Sequence, residues 1–168
     1  MEEIRYERGR QFQLKRPSIW RERFELMDGP QTIAVMFFPK WYSDRAEINF
    51  TGGKSFEIMA KNFFRLTLMI REKGYENPVA EYEASFFGKN NILTLPMGVK
   101  IRLVYKLMKD DCELQTENGT ALFTVKRKSL LSQDYDVYIE NNSENLEKHP
   151  WMILFACYKL HQRKKRRH

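Results

Sequence analysis

Polar and apolar residues alternate along most of this chain. Val99, Ile101, Leu103, Tyr105 and Leu107 are separated by Lys100, Arg102 and Lys106, and only Val104 breaks the polar set. Side chains two apart share one face of a strand, so the run predicts a strand with one apolar and one wet side. Phe64, Leu66, Leu68 and Ile70 follow the same rule, as do Ala121, Phe123 and Val125, and then Tyr135, Val137 and Ile139. Shorter cases are Phe56, Ile58 and Ala60, and Ala80, Tyr82 and Ala84. Residues 32–38 are nearly all apolar, which predicts a strand buried on both faces.

Turn signals separate these runs: Asp28-Gly29-Pro30, Thr51-Gly52-Gly53-Lys54, Lys73-Gly74, Gly88-Lys89-Asn90-Asn91, Lys109-Asp110-Asp111 and Glu117-Asn118-Gly119-Thr120. Asn118-Gly119 predicts a type I′ turn, whose two central residues both need positive φ, joining residues 112–116 to 120–126 as a hairpin. With candidates at 4–7, 11–14 and 20–26, strand-length segments recur about every 8–12 residues, the spacing of an all-β sandwich or barrel. Residues 18–27 also read as a helix.

The end of the chain breaks the pattern. Trp151-Met152-Ile153-Leu154-Phe155-Ala156-Cys157-Tyr158 is apolar throughout, and Leu160 follows. Pro150 suits the first position of a helix, where a missing N–H costs nothing, and the cations beyond suit its C-terminus. An interior strand is the rival reading, because Trp, Ile, Phe and Tyr favour strands. Met, Leu, Ala, Lys and Gln running on without a breaker favour a helix over 150–162. A helix apolar on all sides must be enclosed on all sides. Strands enough to surround it lead to a mainly β fold: a closed antiparallel barrel with the C-terminal helix as its plug.

Composition fits one globular domain over residues 1–168, with 42% hydrophobic, 14% aromatic and 30% charged residues. No apolar run approaches the ~20 residues of a membrane-spanning helix. Met1-Glu2-Glu3-Ile4-Arg5-Tyr6 carries no apolar signal region, so leader-directed secretion is not expected. Cys112 and Cys157 match no metal or redox spacing; a reducing, cytoplasmic setting is the simplest fit, with Cys157 a small buried apolar residue. Six of the 29 Lys and Arg (Lys159, Arg163, Lys164, Lys165, Arg166 and Arg167) fall at the end of the chain, leaving 23 against 22 acids in residues 1–158. The positive charge is thus read as belonging to a flexible basic tail, 163–168, rather than to the body. Nucleic acid is expected to bind only non-specifically, through that tail.

From Asp44 to Leu160 the order of elements resembles the tubby C-terminal-like superfamily, which includes phospholipid scramblases and plant LURP-one-related proteins. The resemblance rests on the stretch Glu113-Leu114-Gln115-Thr116-Glu117-Asn118-Gly119-Thr120-Ala121-Leu122-Phe123-Thr124-Val125-Lys126-Arg127-Lys128, on Tyr135-Asp136-Val137-Tyr138-Ile139, and on Pro150-Trp151-Met152-Ile153-Leu154-Phe155-Ala156. It implies a closed barrel of about twelve strands around a hydrophobic C-terminal helix. It also implies phosphoinositide binding through basic side chains, including a Lys-x-Arg pair on a strand, and Lys100-Ile101-Arg102 has that form. Residues two apart on a strand share a face, so both cations can reach one headgroup; the competing reading is the wet side of an amphipathic strand. Lys126, Arg127 and Lys128 form a second basic cluster at a strand end. With the tail cations Arg163, Lys164, Lys165, Arg166 and Arg167, these are the candidate lipid-binding residues. The Pro-rich extension and acylated cysteine cluster of scramblases are missing, so scrambling is not carried over.

No catalytic constellation is expected. His149, His161 and His168 have no helical zinc spacing, and G-x-S-x-G, P-loop and G-x-G-x-x-G motifs are absent. Gly52-Gly53-Lys54 precedes a strand, without the helix N-terminus of a phosphate cradle. Asp110, Asp111 and Glu113 lack the ligand intervals of a calcium loop and read as a solvated turn. His149 reads as a helix cap or a residue at the barrel mouth. No metal or cofactor is expected. The leading functional expectation is a non-catalytic module on an anionic membrane surface. The alternative is a cytosolic protein-interaction or small-ligand-sensing domain presenting Trp20, Trp41 and Tyr42.

Overall fold

The structure is a computed structural model that describes residues 3–61, 67–84, 91–106 and 109–166. Among these, twelve strands each pair antiparallel with the next in sequence: β1 (Gln11–Lys15), β2 (Arg23–Asp28), β3 (Gln31–Phe37), β4 (Ala46–Phe50), β5 (Ser55–Ala60), β6 (Thr67–Glu72), β7 (Pro78–Ala84), β8 (Asn91–Thr94), β9 (Lys100–Tyr105), β10 (Cys112–Thr116), β11 (Ala121–Arg127) and β12 (Tyr135–Ile139). β12 returns to pair with β1, Val137 opposite Phe12 and Tyr135 opposite Leu14. Closure leaves no sheet edge to protect.

The alternation read from the sequence decides which side chains fill the barrel. Phe12, Leu14, Ile48, Ile58, Ile70, Tyr82, Ile101, Leu103, Leu114, Phe123, Val125 and Val137 are buried, while Lys100, Arg102 and Lys126 between them are exposed. Inside lies α2 (Trp151–Arg166), roughly 24 Å long at 1.5 Å per residue. Every residue from Trp151 to Gln162 is buried. A short helix, α1 (Glu144–Lys148), precedes it; the Ser143 hydroxyl accepts the Leu146 N–H at 3.2 Å and caps its start.

Several expectations are corrected. Residues 4–7 form no strand; Tyr6 instead folds in against Phe12, ring centroids 5.3 Å apart, and its N–H donates to Glu147 Oε1 at 2.7 Å. Residues 18–27 are not a helix, because Phe24 and Leu26 supply the alternation of β2. β3 is not buried on both faces: Ala34 and Met36 are sealed inside, whereas Val35 and Phe37 are half-buried outside. The Asn118-Gly119 turn is not type I′. Gly119 N–H donates to Thr116 O and Thr116 N–H to Thr120 O, and Gly119 alone takes positive φ, at 88°. That is a type I turn closed by a glycine bulge. The same arrangement recurs at residues 50–54, with Gly53 at 104°.

The strand-length runs expected at 11–14, 20–26 and 32–38 provide β1, β2 and β3, which close the barrel. One correction bears on function. Arg163, Lys164, Lys165 and Arg166, read as a tail, are the last turn of α2. They are held there: Arg163 lies 4.4 Å over the Tyr105 ring and Lys165 pairs with Glu22 at 2.6 Å. Phe64, Leu66, the Gly88-Lys89-Asn90 turn, Leu107, Arg167 and His168 lie outside the described residues.

Candidate functional site

Because the strands run up and down in sequence order, their connections fall alternately at two mouths. The lower mouth, where α2 begins, takes the turns after β2, β4, β6, β8 and β10, together with α1 and residues 3–10. The upper mouth, where α2 emerges, takes the connections after the odd-numbered strands, among them residues 16–22 after β1, 38–45 after β3, 109–111 after β9 and 128–134 after β11. Contacts fix this arrangement: the Tyr158 hydroxyl donates to Asp44 O at 2.7 Å, and the Phe38 ring stacks on Tyr158 and touches His161. Arg16 N–H donates to Asp134 Oδ1 at 2.9 Å, tying two of the upper loops together.

The upper mouth carries an unusual surface. Of the eight large hydrophobic side chains exposed among the described residues, six are on three of its loops: Ile19, Trp20, Trp41, Tyr42, Leu130 and Leu131. Trp20 is 88% exposed, Trp41 89% and Leu131 98%, so they contribute almost nothing to the core. Cations lie among them. Arg21, Lys40, Lys109, Lys128, Lys164 and Arg166 make no ion pair within the described residues. The acids nearby are taken up internally: Glu22 by Lys165, Asp110 and Asp111 by Arg127, Asp134 by the Arg16 backbone. The lower mouth mixes both signs, with Glu3, Glu7, Glu144 and Glu147 beside Arg5, Arg8 and Lys148. The near-neutral count for residues 1–158 stands, and the fold adds that Arg21, Lys40, Lys109 and Lys128 join Lys164 and Arg166 at one end.

The predicted lipid-binding residues are divided by the fold. Lys100 and Arg102 do project together from the outer face of β9, as the alternation requires. Lys126 lies outside β11 with its Nζ 5.6 Å from the Tyr138 ring centroid. Arg127 is occupied: it pairs with Asp110 at 2.9 Å and donates from Nε to Ser132 O at 2.8 Å, bracing the β11–β12 loop. Lys128 and the last turn of α2 share the upper mouth, while Lys100 and Arg102 stand on the barrel wall. Sequence reasoning missed the apolar loop tips at Ile19, Leu130 and Leu131. The signal was present in Ser18-Ile19-Trp20 and Ser129-Leu130-Leu131-Ser132, apolar pairs set among turn formers.

Residues with chemical potential are otherwise absorbed by the structure. Both cysteines are fully buried, and burial pushes their thiols well above the ordinary range. Glu113 pairs with Lys106 at 3.1 Å, which with Arg127 accounts for the acidic turn. His149 caps the end of α1 through its N–H to Asn145 O, and its half-buried ring lies edge-on to Trp151. Desolvation holds its imidazole below the usual pKa. His161 is buried beside Phe24 and Phe38, and burial drives its pKa down to about 4 against the pull of Glu22. Lys159 is buried with its Nζ 4.7 Å from the Tyr82 ring centroid and 3.1 Å from Gln162 Oε1; burial lowers it to about 8. No group of three or more His, Cys, Asp or Glu that could hold a metal exists among the described residues. At the lower mouth a cavity of about 370 Å³ is lined by Tyr6, Ile33, Phe50, Phe56 and Pro150, with Lys54 and Lys148 and the acids Glu3 and Glu147 also lining it.

The class is thus a closed twelve-strand barrel threaded by its own C-terminal helix. No family model matches the chain, and no curated protein does. Among solved structures, the chain is similar to the X-ray structure of a protein from Arabidopsis thaliana, AT5G01750, with a TM-score of 0.62 at 9% identity, over 92% of this chain and 93% of that one. At that identity the likeness concerns the fold alone.

Proposed function

We propose that this chain is a non-catalytic module, of the tubby C-terminal-like kind, that associates with anionic phospholipid at a membrane surface on the cytoplasmic side. The observation that carries the reading is the collection of unpaired cations at the upper mouth, where the nearby acids are already engaged. Clustered Lys and Arg attract an anionic surface by roughly 1 kcal/mol each, so a handful gives usable affinity. No helix among the described residues is long and apolar enough to cross a membrane. Sedimentation with vesicles tests the reading. The protein is expected to co-sediment with phosphatidylcholine–phosphatidylserine vesicles and to stay in solution with phosphatidylcholine alone. The double variant Lys164→Glu, Arg166→Glu is expected to lose most of the bound fraction. Equal partitioning onto neutral and anionic vesicles would overturn the reading.

The lower cavity favours a second reading, a sensor of a small amphipathic ligand. Its apolar walls suit a hydrocarbon or ring, and Lys54 and Lys148 beside Glu3 and Glu147 suit a polar end that carries both a donor and an acceptor. Under that reading Phe56→Ala or Lys54→Glu removes ligand-induced thermal stabilisation and leaves vesicle binding intact.

A further inference from the structure

We infer that the barrel docks end-on, inserting the apolar tips of its upper-mouth loops into the interfacial layer of an anionic bilayer while the cations among them meet the headgroups. This rests on the membrane-surface reading and adds orientation and mode: insertion at the mouth, rather than capture of a headgroup on the barrel wall by Lys100 and Arg102.

Three observations support it. Segregation is the first, since among the described residues six of the eight exposed large apolar side chains gather at one mouth and only Tyr75 and Met97 lie elsewhere. A monomer gains nothing in stability by displaying Trp20, Trp41 and Leu131 to water, and concentrated exposed apolar surface marks a contact site. Residue type is the second. Trp and Tyr are the side chains that best match the headgroup layer, having an apolar body and a polar tip. Trp41 and Tyr42 stand edge to face at 5.7 Å, and Lys40 Nζ is 5.8 Å from the Tyr42 ring centroid, so aromatic and cation are presented together. Charge is the third. Arg21 and Lys128 lie in the tip-bearing loops and Lys164 in the last turn of α2, none in an ion pair among the described residues, and they complement phosphate-rich headgroups better than they do a protein surface, where burying unpaired cations is costly. The scaffold suits the task. Tips on a closed barrel, with α2 braced across the mouth by the Lys165–Glu22 pair, are presented without a folding cost at docking.

Tryptophan fluorescence tests this directly, because Trp20 and Trp41 are exposed and Trp151 is sealed in the core. On addition of vesicles of phosphatidylcholine and phosphatidylserine in equal parts, emission is expected to shift to the blue, and brominated acyl chains are expected to quench it. In the variant Trp20→Phe, Trp41→Phe, which keeps Trp151, both responses are expected to vanish while sedimentation persists. Trp41→Ser and Leu131→Ser are each expected to weaken partitioning about tenfold, and Lys100→Glu, Arg102→Glu to leave it unchanged. Should the protein sediment with anionic vesicles without blue shift or quenching, and lose that binding with Lys100→Glu, Arg102→Glu, the wall binds lipid and end-on docking is wrong. If no vesicle sediments the protein, the membrane reading and this inference both fall. If emission of the free protein is already blue and sedimentation velocity gives a dimer, the tips are covered by a second copy and the inference is overturned.

Discussion

Along its lower eight residues, from Trp151 to Tyr158, α2 is apolar on every side, and all of them are buried. Over the following turns it turns polar, first while still buried at Lys159, His161 and Gln162, then at the surface from Arg163 to Arg166. The strand connections change in the same direction. Lower turns such as 51–54 and 117–120 are short and glycine-closed, whereas upper loops such as 38–45 and 128–134 are longer and end in exposed apolar residues. One end of the molecule is arranged for cohesion. The other carries features that cohesion does not explain: buried polar groups, unpaired cations and wet tryptophans. In a closed barrel the elements are rigid enough that such features can be kept at one mouth without loosening the opposite one.

The largest expected effect comes from attacking the cohesive half. Leu154 is fully buried in the middle of α2. Leu154→Asp places a carboxylate in the apolar interior, at a cost of several kcal/mol against a total stability of about 5–15 kcal/mol. The domain is expected to unfold, seen as loss of the cooperative melt by circular dichroism. A variant that still melts cooperatively near the parent temperature would mean that the plug is dispensable.

The uneven legibility of the two halves has a physical cause. The plug and most of the wall could be read from residue order because burial on one or all sides writes a period into the sequence. Phe12 and Leu14, or Val137 and Ile139, could hardly be arranged otherwise. β4 and β8 escaped notice: Ala46, Ile48 and Phe50 alternate, but over only five residues, and Asn91 places a polar side chain inward, hydrogen-bonded to the Tyr82 hydroxyl. α1 escaped for the same reason of length, though Ser143 signalled its cap. The upper-mouth surface was legible only in its cations. Trp20, Trp41 and Leu131 are far apart in sequence, and nothing local says that three loops meet at one mouth; that follows from strand order and closure. The mistaken tail has a related origin, since a basic run reads as solvated until Tyr105 and Glu22 are found beside it.

A smaller effect separates the halves within the helix itself. Lys159 is buried and its pKa is lowered to about 8, mainly by desolvation, against ~10.4 in an unfolded chain. At pH 7 both states are protonated, so the folded state bears the full cost of holding the cation. Between pH 8 and about 10.4 only the unfolded state keeps the proton, and that cost diminishes as pH rises. Lys159→Met is therefore expected to stabilise the domain at pH 7 by about 1–3 kcal/mol, read from urea melts, with the gain shrinking towards pH 10. A variant less stable than the parent at pH 7 would show that the contacts with Tyr82 and Gln162 outweigh desolvation.

The smallest effect is expected at the rim, and there a null result is the informative one. Trp41 and Leu131 are almost wholly solvent-exposed, so removing them exposes no new core and opens no cavity. Among the described residues Trp41 makes one ring contact, with Tyr42, whose own ring is exposed, and a pair held in water adds little to stability. Trp41→Ser and Leu131→Ser, separately or together, are expected to change unfolding free energy by no more than about 0.5 kcal/mol, as surface substitutions do. Urea melts in the absence of lipid check this. A loss of about 2 kcal/mol or more would place these side chains inside the cohesive part of the molecule, and the contrast between its two ends would disappear. If stability is unchanged, then any loss of vesicle binding in the same variants reports on the surface and not on the fold.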